Sequence, residues 1–151
     1  MAEPGDPDYA GPELPDNETR EKRIELSIAY IVDGLKRAAP AGWRRIDLRS
    51  NITLSVSDAR LRVFVDDTIG QPMEMPEQGF GALREHRHLS WTPERGTWLS
   101  ARIMLTPDQP PFVSFNWDHL PDWSPTVPPE VYREDFEFYP RPAVPAWLET
   151  I

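Results

Sequence analysis

The sequence predicts an α+β domain in which an N-terminal helix packs against an antiparallel sheet of about four strands. Apolar residues recur at helical spacing between residues 24 and 35. Apolar and polar residues alternate over 46–65 and again over 99–117, which indicates two β-hairpins. A leading helix followed by two hairpins is typical of a two-layer α+β domain, and we expect it to span residues 17–151.

The first sixteen residues form an acidic leader, 1–16, that we expect to be disordered. They contain four prolines, two glycines and five acidic residues, with few apolar side chains. Such a segment buries too little apolar surface to offset the entropy lost on ordering.

The first helix is predicted to begin at Asn17, whose side chain is a suitable N-cap. Ile24, Ile28, Ile31 and Leu35 follow at intervals of four, three and four, which places them on one face of the helix. The Ala38-Ala39-Pro40 sequence ends it, because proline cannot continue a helix. We expect this apolar face to be buried against a sheet.

The first hairpin is predicted from even-numbered apolar residues between 46 and 56, with polar residues between them. We expect a tight turn at 57–59 and a second strand over 60–65. Asp66-Asp67 and the 70–72 segment then end that strand.

The middle of the chain, 73–96, leaves its structure open. A short helix with Phe80, Leu83 and Arg87 on one side fits the pattern, but Gly79 and Gly81 each cost about 1 kcal/mol in a helix interior. Beyond it, strands are predicted at 99–105 and 112–117.

The C-terminal region is predicted to contain one short helix and an extended tail. Pro129 suits the first position of a helix over 130–138. The proline-rich 141–148 segment is expected to lie extended over the domain, with Trp147 and Leu148 as anchors.

Composition limits the class of protein. Cysteine is absent, which excludes disulfides, thiolate metal sites and cysteine nucleophiles. No apolar run approaches the roughly 20 residues of a membrane helix, and residues 1–6 lack the features of a signal peptide. We expect a cytoplasmic protein without membrane contact.

The net charge of −9 lies at the two ends of the chain. Residues 1–20 carry six acids and one arginine, and residues 107–151 carry eight acids and two arginines, whereas the part between is slightly basic. Such ends repel nucleic acid and attract a basic protein partner. A solvated surface that only maintains solubility is the alternative.

No enzyme signature is present. The chain lacks a phosphate-binding glycine loop, a G-x-S-x-G elbow and an H-E-x-x-H motif. His86 and His88 have no third ligand nearby, so we expect surface histidines and neither a metal nor a cofactor. Asp118-His119 could supply a general base, but a strand-ending turn in which Asp118 accepts backbone hydrogen bonds is the preferred interpretation.

Aromatic and acidic residues alternate after the last predicted strand. Tryptophan and tyrosine are enriched in binding hot spots, and an acidic rim suits a basic partner. We therefore predict a partner-binding surface formed by Asp118, His119, Asp122, Trp123, Glu130, Tyr132, Glu134 and Asp135. The alternative for the aromatic residues among these is burial in the core.

Several motifs resemble a known family. They are Trp43 before the first hairpin, Phe115-Asn116-Trp117-Asp118 at the last strand, and Asp135…Phe138-Tyr-Pro-Arg141…Pro145-Ala-Trp-Leu148 at the end. Together with the order of elements over 17–148, they resemble the YezG-like immunity proteins of bacterial polymorphic toxin systems, and actinobacterial members in particular.

The resemblance implies a non-enzymatic immunity protein that binds a cognate toxin domain and occludes its active site. The toxin would be a nuclease or an NAD-hydrolysing enzyme, neutralised at one-to-one stoichiometry. Two other hypotheses remain: an adaptor or chaperone for a secreted effector, and a small enzyme that uses Asp118 and His119.

Overall fold

The computed structural model describes residues 2–66 and 69–151, and it has the predicted α+β architecture. A five-stranded antiparallel sheet has the order β3-β2-β1-β4-β5, and α1 packs beside α2. The predicted strand end at Asp67 lies outside the described residues. The elements are α1 Asn17–Ala38, β1 Arg45–Ile52, β2 Ser57–Phe64, β3 Gln71–Met73, α2 Glu77–Leu89, β4 Ser100–Leu105, β5 Phe112–Asn116 and α3 Pro129–Phe138.

Helix α1 follows the prediction closely. Its N-cap is Asp16 rather than Asn17, because the Asp16 carboxylate accepts a hydrogen bond from the Thr19 amide at 2.9 Å. Ile31 and Leu35 are buried against the sheet. The helix ends at Ala38, the first residue of the predicted Ala38-Ala39-Pro40 stop.

The turn of the first hairpin lies four residues earlier than predicted. Strand β1 ends at Ile52, and residues 53–56 form the turn, so Ser57, Asp58 and Ala59 belong to β2. The Thr53 amide donates to the Val56 carbonyl at 2.8 Å, and the Val56 amide donates to the Thr53 hydroxyl at 3.1 Å. The Thr53 side chain thus closes a turn that alternation alone does not reveal.

A short fifth strand, β3, was not predicted. Gln71, Pro72 and Met73 pair with β2 at the edge of the sheet, a position where proline is tolerated. Arg62 donates to the Gly70 carbonyl at 3.0 Å and holds this segment beside β2. The sheet therefore extends one strand beyond the predicted four.

The open question about the middle region is resolved in favour of a helix, α2. Leu83 and Arg87 are buried on its inner side, as the spacing predicted. A Cβ atom at Gly79 would lie 2.3 Å from the Met75 methyl carbon. The Met75 side chain therefore occupies the space that a larger residue at position 79 would need.

Two hydrophobic clusters form the interior. The main cluster lies between the helices α1 and α2 and the sheet. A second cluster at the start of β4 buries Leu99 together with Trp123, Tyr132, Phe136 and Leu148. It fixes α3, which begins with Pro129 at its first turn as predicted.

The leader makes two contacts with the folded domain. Residues 2–16 form no helix or strand, but the Tyr9 hydroxyl donates to the Phe138 carbonyl at 2.6 Å. Gly11 lies against the Trp91 ring without room for a Cβ atom. Tyr9 and Gly11 thus give this acidic segment contacts that its composition did not indicate.

The tail is anchored by the two predicted residues. Leu148 is buried, and the Trp147 indole donates to the Asp118 carbonyl at 2.7 Å. The anchors lie in a single 3₁₀ turn, Ala146–Glu149, instead of extended chain. Among the described residues, no helix combines the length and apolar character needed to cross a bilayer.

Candidate partner-binding surface

A buried ion pair fixes α3 on the domain. The Arg87 guanidinium donates to both carboxylate oxygens of Asp135, at 2.7 and 2.6 Å, and also to the Trp98 carbonyl at 2.6 Å. The Leu54 amide donates to the same Asp135 carboxylate at 2.8 Å. Asp135 is therefore joined to α2 and to the turn of the first hairpin.

This pairing corrects the prediction that Asp135 contacts a partner. Its side chain is 0% exposed, and its charge is compensated internally. A carboxylate in this position holds α3 in place and is not available at the surface.

Arg141 fastens the segment after α3. Its guanidinium donates to the carbonyls of Thr97 and Trp117, both at 2.7 Å, and lies over the Phe136 ring at 4.6 Å from the ring centre. Burial lowers the pKa of Arg141 from its ordinary value. The chain beyond α3 is thus tied to the ends of β4 and β5.

Several residues of the family-like motifs prove to be structural. Phe115 stacks on His86 with ring centres 4.7 Å apart. The Asn116 side chain accepts from the His119 amide at 2.9 Å and donates to the His119 carbonyl at 2.8 Å. Asn116, rather than Asp118, therefore closes the turn after β5.

A hollow of about 470 Å³ lies beside α3. We call it the acidic-rimmed hollow, after the exposed acidic residues that neighbour its lining residues in sequence. It is lined by Leu120, Pro121, Trp123, Thr126, Val127, Pro128, Pro129, Tyr132 and Ile151. Leu120 and Ile151 are 46% and 45% exposed, so the depression offers accessible apolar surface.

Trp123 and Tyr132 form part of the wall of this hollow, although both are largely buried at 7% and 1% exposure. Their burial agrees with the alternative that the sequence left open for the aromatic residues, a place in the core. Burial raises the pKa of the Tyr132 hydroxyl. These two aromatic residues shape the hollow and contribute little accessible area of their own.

Exposed acidic residues adjoin the lining of the hollow in the chain, although none of them lines it. Asp122 stands between two lining residues and Glu130 follows a third, while Asp118, His119 and Glu134 lie nearby in the chain, and all five are exposed. Glu130, Glu134 and Glu137 recur at the spacing of one helix face, the outer face of α3. The Arg60 guanidinium, 2.7 Å from Asp122, lowers the pKa of that carboxyl.

The sequence did not indicate the apolar part of this site. Leu120, Val127 and Ile151 have no common periodicity, and they meet only because the chain folds back after α3. The prolines that flank them predicted irregular chain and gave no sign of a shared depression.

The arrangement of Asp118 and His119 does not form an acid–base pair. The Asp118 carboxylate lies 3.5 Å from Arg141, and within the described residues no hydrogen bond joins it to the His119 imidazole. Asp118 and His119 lie next to each other in the turn that the Asn116 side chain closes.

His86 and His88 are not the surface residues that we expected. The Trp98 indole donates to His86 Nδ1 at 3.0 Å, and burial lowers the pKa of His86 to about 4. His88 Nδ1 lies 2.8 Å from the Tyr139 hydroxyl. Across residues 2–66 and 69–151, no group of three or more potential ligands is placed to hold a metal ion.

Comparison with known proteins adds no family assignment. No protein-family model matches the sequence, and no curated protein is significantly similar to it.

Proposed function

We propose that this protein is a non-enzymatic immunity protein that binds a basic toxin domain and occludes its active site. The observation that carries the proposal is the acidic-rimmed hollow: accessible apolar surface at Leu120 and Ile151, with exposed acidic residues next to its lining residues in the chain. An apolar centre with a polar rim is the usual anatomy of a protein interface.

The chemistry of the hollow defines its occupant. Its proline and aromatic walls suit an apolar side chain, while Asp118, Asp122 and Glu130 suit lysine or arginine around that side chain. Nuclease and nucleotide-binding clefts are basic because they bind phosphate, so a carboxylate-rimmed protein surface complements them.

The rigidity of the support favours tight binding. The Arg87–Asp135 pair and the Arg141 contacts fix α3 and the segment after it before any partner arrives. A surface that is ordered in advance loses less entropy on association.

The first experiment is a pull-down with the product of the adjacent gene, because immunity genes usually lie beside their toxin genes. The activity of that product is then measured with and without one equivalent of this protein. Inhibition at one-to-one stoichiometry supports the proposal. Binding to a region outside the catalytic domain, without inhibition, supports the adaptor hypothesis instead.

A triple variant tests whether the acidic rim makes the contact. Asp118→Asn, Asp122→Asn and Glu134→Gln together should weaken binding, since they neutralise three exposed carboxylates. The matched control is Glu21→Gln, Glu25→Gln and Glu74→Gln, which removes the same charge from exposed sites outside the hollow. Equal affinity for the two triple variants contradicts this placement of the interface.

The enzyme hypothesis is tested separately. A substrate screen that finds an activity abolished by His119→Ala would replace the immunity proposal. Activity that survives this change would leave Asp118 and His119 without a catalytic role.

A further inference from the structure

The face of the sheet opposite the main cluster carries a row of three arginines. Arg49 of β1 is directly opposite Arg60 of β2 and also directly opposite Arg102 of β4. Neighbouring strands lie about 4.8 Å apart, so the three side chains start close together on one face. Like charges directly opposite each other destabilise a sheet, which makes this row unfavourable in isolation.

The charges of the two outer arginines are neutralised by carboxylates, and the charge of the central arginine is not. Arg60 pairs with Asp122 at 2.7 Å, and Arg102 pairs with Asp47 at 3.1 Å. Arg49 is exposed and, within the described chain, makes no hydrogen bond or ion pair. The row thus presents one uncompensated guanidinium, flanked by two neutralised ones.

A polar groove of about 290 Å³ contains Arg49 and Arg102. Beside them runs a second row across the strands, in which the Ser100 hydroxyl donates to the Asn51 amide oxygen at 2.8 Å and Asn116 donates to that hydroxyl at 3.3 Å. Ser114, paired in register with Arg102, also lines the groove. We call this depression the arginine groove.

The groove is separate from the acidic-rimmed hollow but adjoins it. Leu120 and Pro121, in the segment after β5, line both depressions. Asp122 lines the arginine groove and pairs with Arg60.

We propose that the arginine groove binds a carboxylate side chain of an acidic peptide segment lying across the sheet. A guanidinium presents two parallel N–H donors that match a carboxylate. Besides Arg49, Arg60 and Arg102, this face carries Arg45 and Arg62, whereas the acids of its strands are Asp47 and Asp58, and Asp122 also lines the groove. The face is therefore locally basic on a protein of net charge −9.

A single carboxylate fits this site better than phosphate. Asp47 and Asp122 stand beside the row and repel a doubly charged anion more than a singly charged one. A nucleic acid strand needs several lysines or arginines free to replace its counterions, whereas Arg60 and Arg102 of this row are already paired with Asp122 and Asp47.

The test is fluorescence anisotropy at low ionic strength with a labelled octapeptide of alternating glutamate and serine. Arg49→Gln should weaken binding about tenfold, because it removes a charged hydrogen-bond donor. Arg49→Lys should bind less tightly than the native protein but more tightly than Arg49→Gln, since it keeps the charge and loses the paired donors. Arg133→Gln, on the outer face of α3, is the matched control and should bind like the native protein.

Equal binding of the peptide by Arg49→Gln and by the native protein would overturn the proposal. The proposal would also fail if inorganic phosphate displaced the peptide at a lower concentration than acetate does. Preferential binding of a single-stranded oligonucleotide would overturn it as well. Thermal unfolding of each variant separates lost binding from lost structure. The acidic peptide does not probe the acidic-rimmed hollow, so failure here leaves the proposed function standing.

Discussion

Arg87 and Asp135 form a two-pronged ion pair that is almost entirely enclosed, with side chains 2% and 0% exposed. The pair joins α2 to α3 over 48 positions of sequence. It therefore determines where the outer, acidic face of α3 stands relative to the sheet.

We predict that Asp135→Asn destabilises the domain strongly. The change leaves the Arg87 charge buried without its partner, which costs about 3–5 kcal/mol. Urea denaturation should show this loss. The control Asp122→Asn removes a carboxylate from a pair whose Asp122 side chain is 70% exposed, and it should cost at most about 1 kcal/mol. Similar losses for both variants would contradict the structural role of the buried pair.

Stability should fall as the pH decreases from 6.5 towards 4. Burial lowers the pKa of His86 from 6.5 to about 4 in the folded protein, so over this range the unfolded chain binds a proton that the folded chain does not. Burial lowers the pKa of His88 in the same direction. The lowered pKa of His86 corresponds to roughly 3 kcal/mol of folding free energy. This stability is fully present above pH 6.5 and is lost as the pH falls towards 4.

Urea denaturation across this pH range measures the effect. His86→Gln should flatten the dependence of stability on pH between 4 and 6.5, since the variant has no imidazole to protonate there. A dependence as steep as that of the native protein would show that His86 does not titrate as inferred.

Gly96→Ala should destabilise the protein more than Gly42→Ala. Both glycines have positive φ, +77° and +80°, so alanine is strained at either position by about 1–2 kcal/mol. A methyl group at Gly96 would also lie 3.0 Å from the side chain of Arg141, whereas Gly42 has open space. The crowding should add about 1 kcal/mol or more.

Thermal or urea unfolding of the two glycine variants provides the comparison. Equal losses would indicate that the Arg141 side chain moves aside freely, which is inconsistent with its hydrogen bonds to Thr97 and Trp117.

The association rate with the partner protein should decrease as salt increases. Exposed carboxylates attract a basic surface over distances that salt screens, with a Debye length of about 8 Å at physiological ionic strength. Stopped-flow measurements should show a weaker salt dependence for the Asp118, Asp122 and Glu134 triple variant. Unchanged salt dependence would exclude these carboxylates from electrostatic steering.

Local patterns in the sequence predicted most of the fold. The spacing of Ile31 and Leu35 predicted the buried face of α1, and alternation predicted β4 and β5. The turn at 53–56 escaped prediction because the Thr53 side chain closes it, and because its Leu54 amide binds Asp135, 81 positions away.

The candidate site was less predictable, because its character depends on contacts between distant parts of the chain. Asp135 is indistinguishable in sequence from the exposed acids around it until Arg87 is placed beside it. The row of Arg49, Arg60 and Arg102 arises from strand register, which composition does not contain. The charge at the ends of the chain indicated exposed acidic residues but not the hollow.

Hydrogen–deuterium exchange of the protein with and without its bound partner tests the central claim most directly. Protection should concentrate in residues 118–134, which include most of the lining of the acidic-rimmed hollow, with little change in α1. Protection of α1 and α2 with unchanged exchange over 118–134 would contradict it.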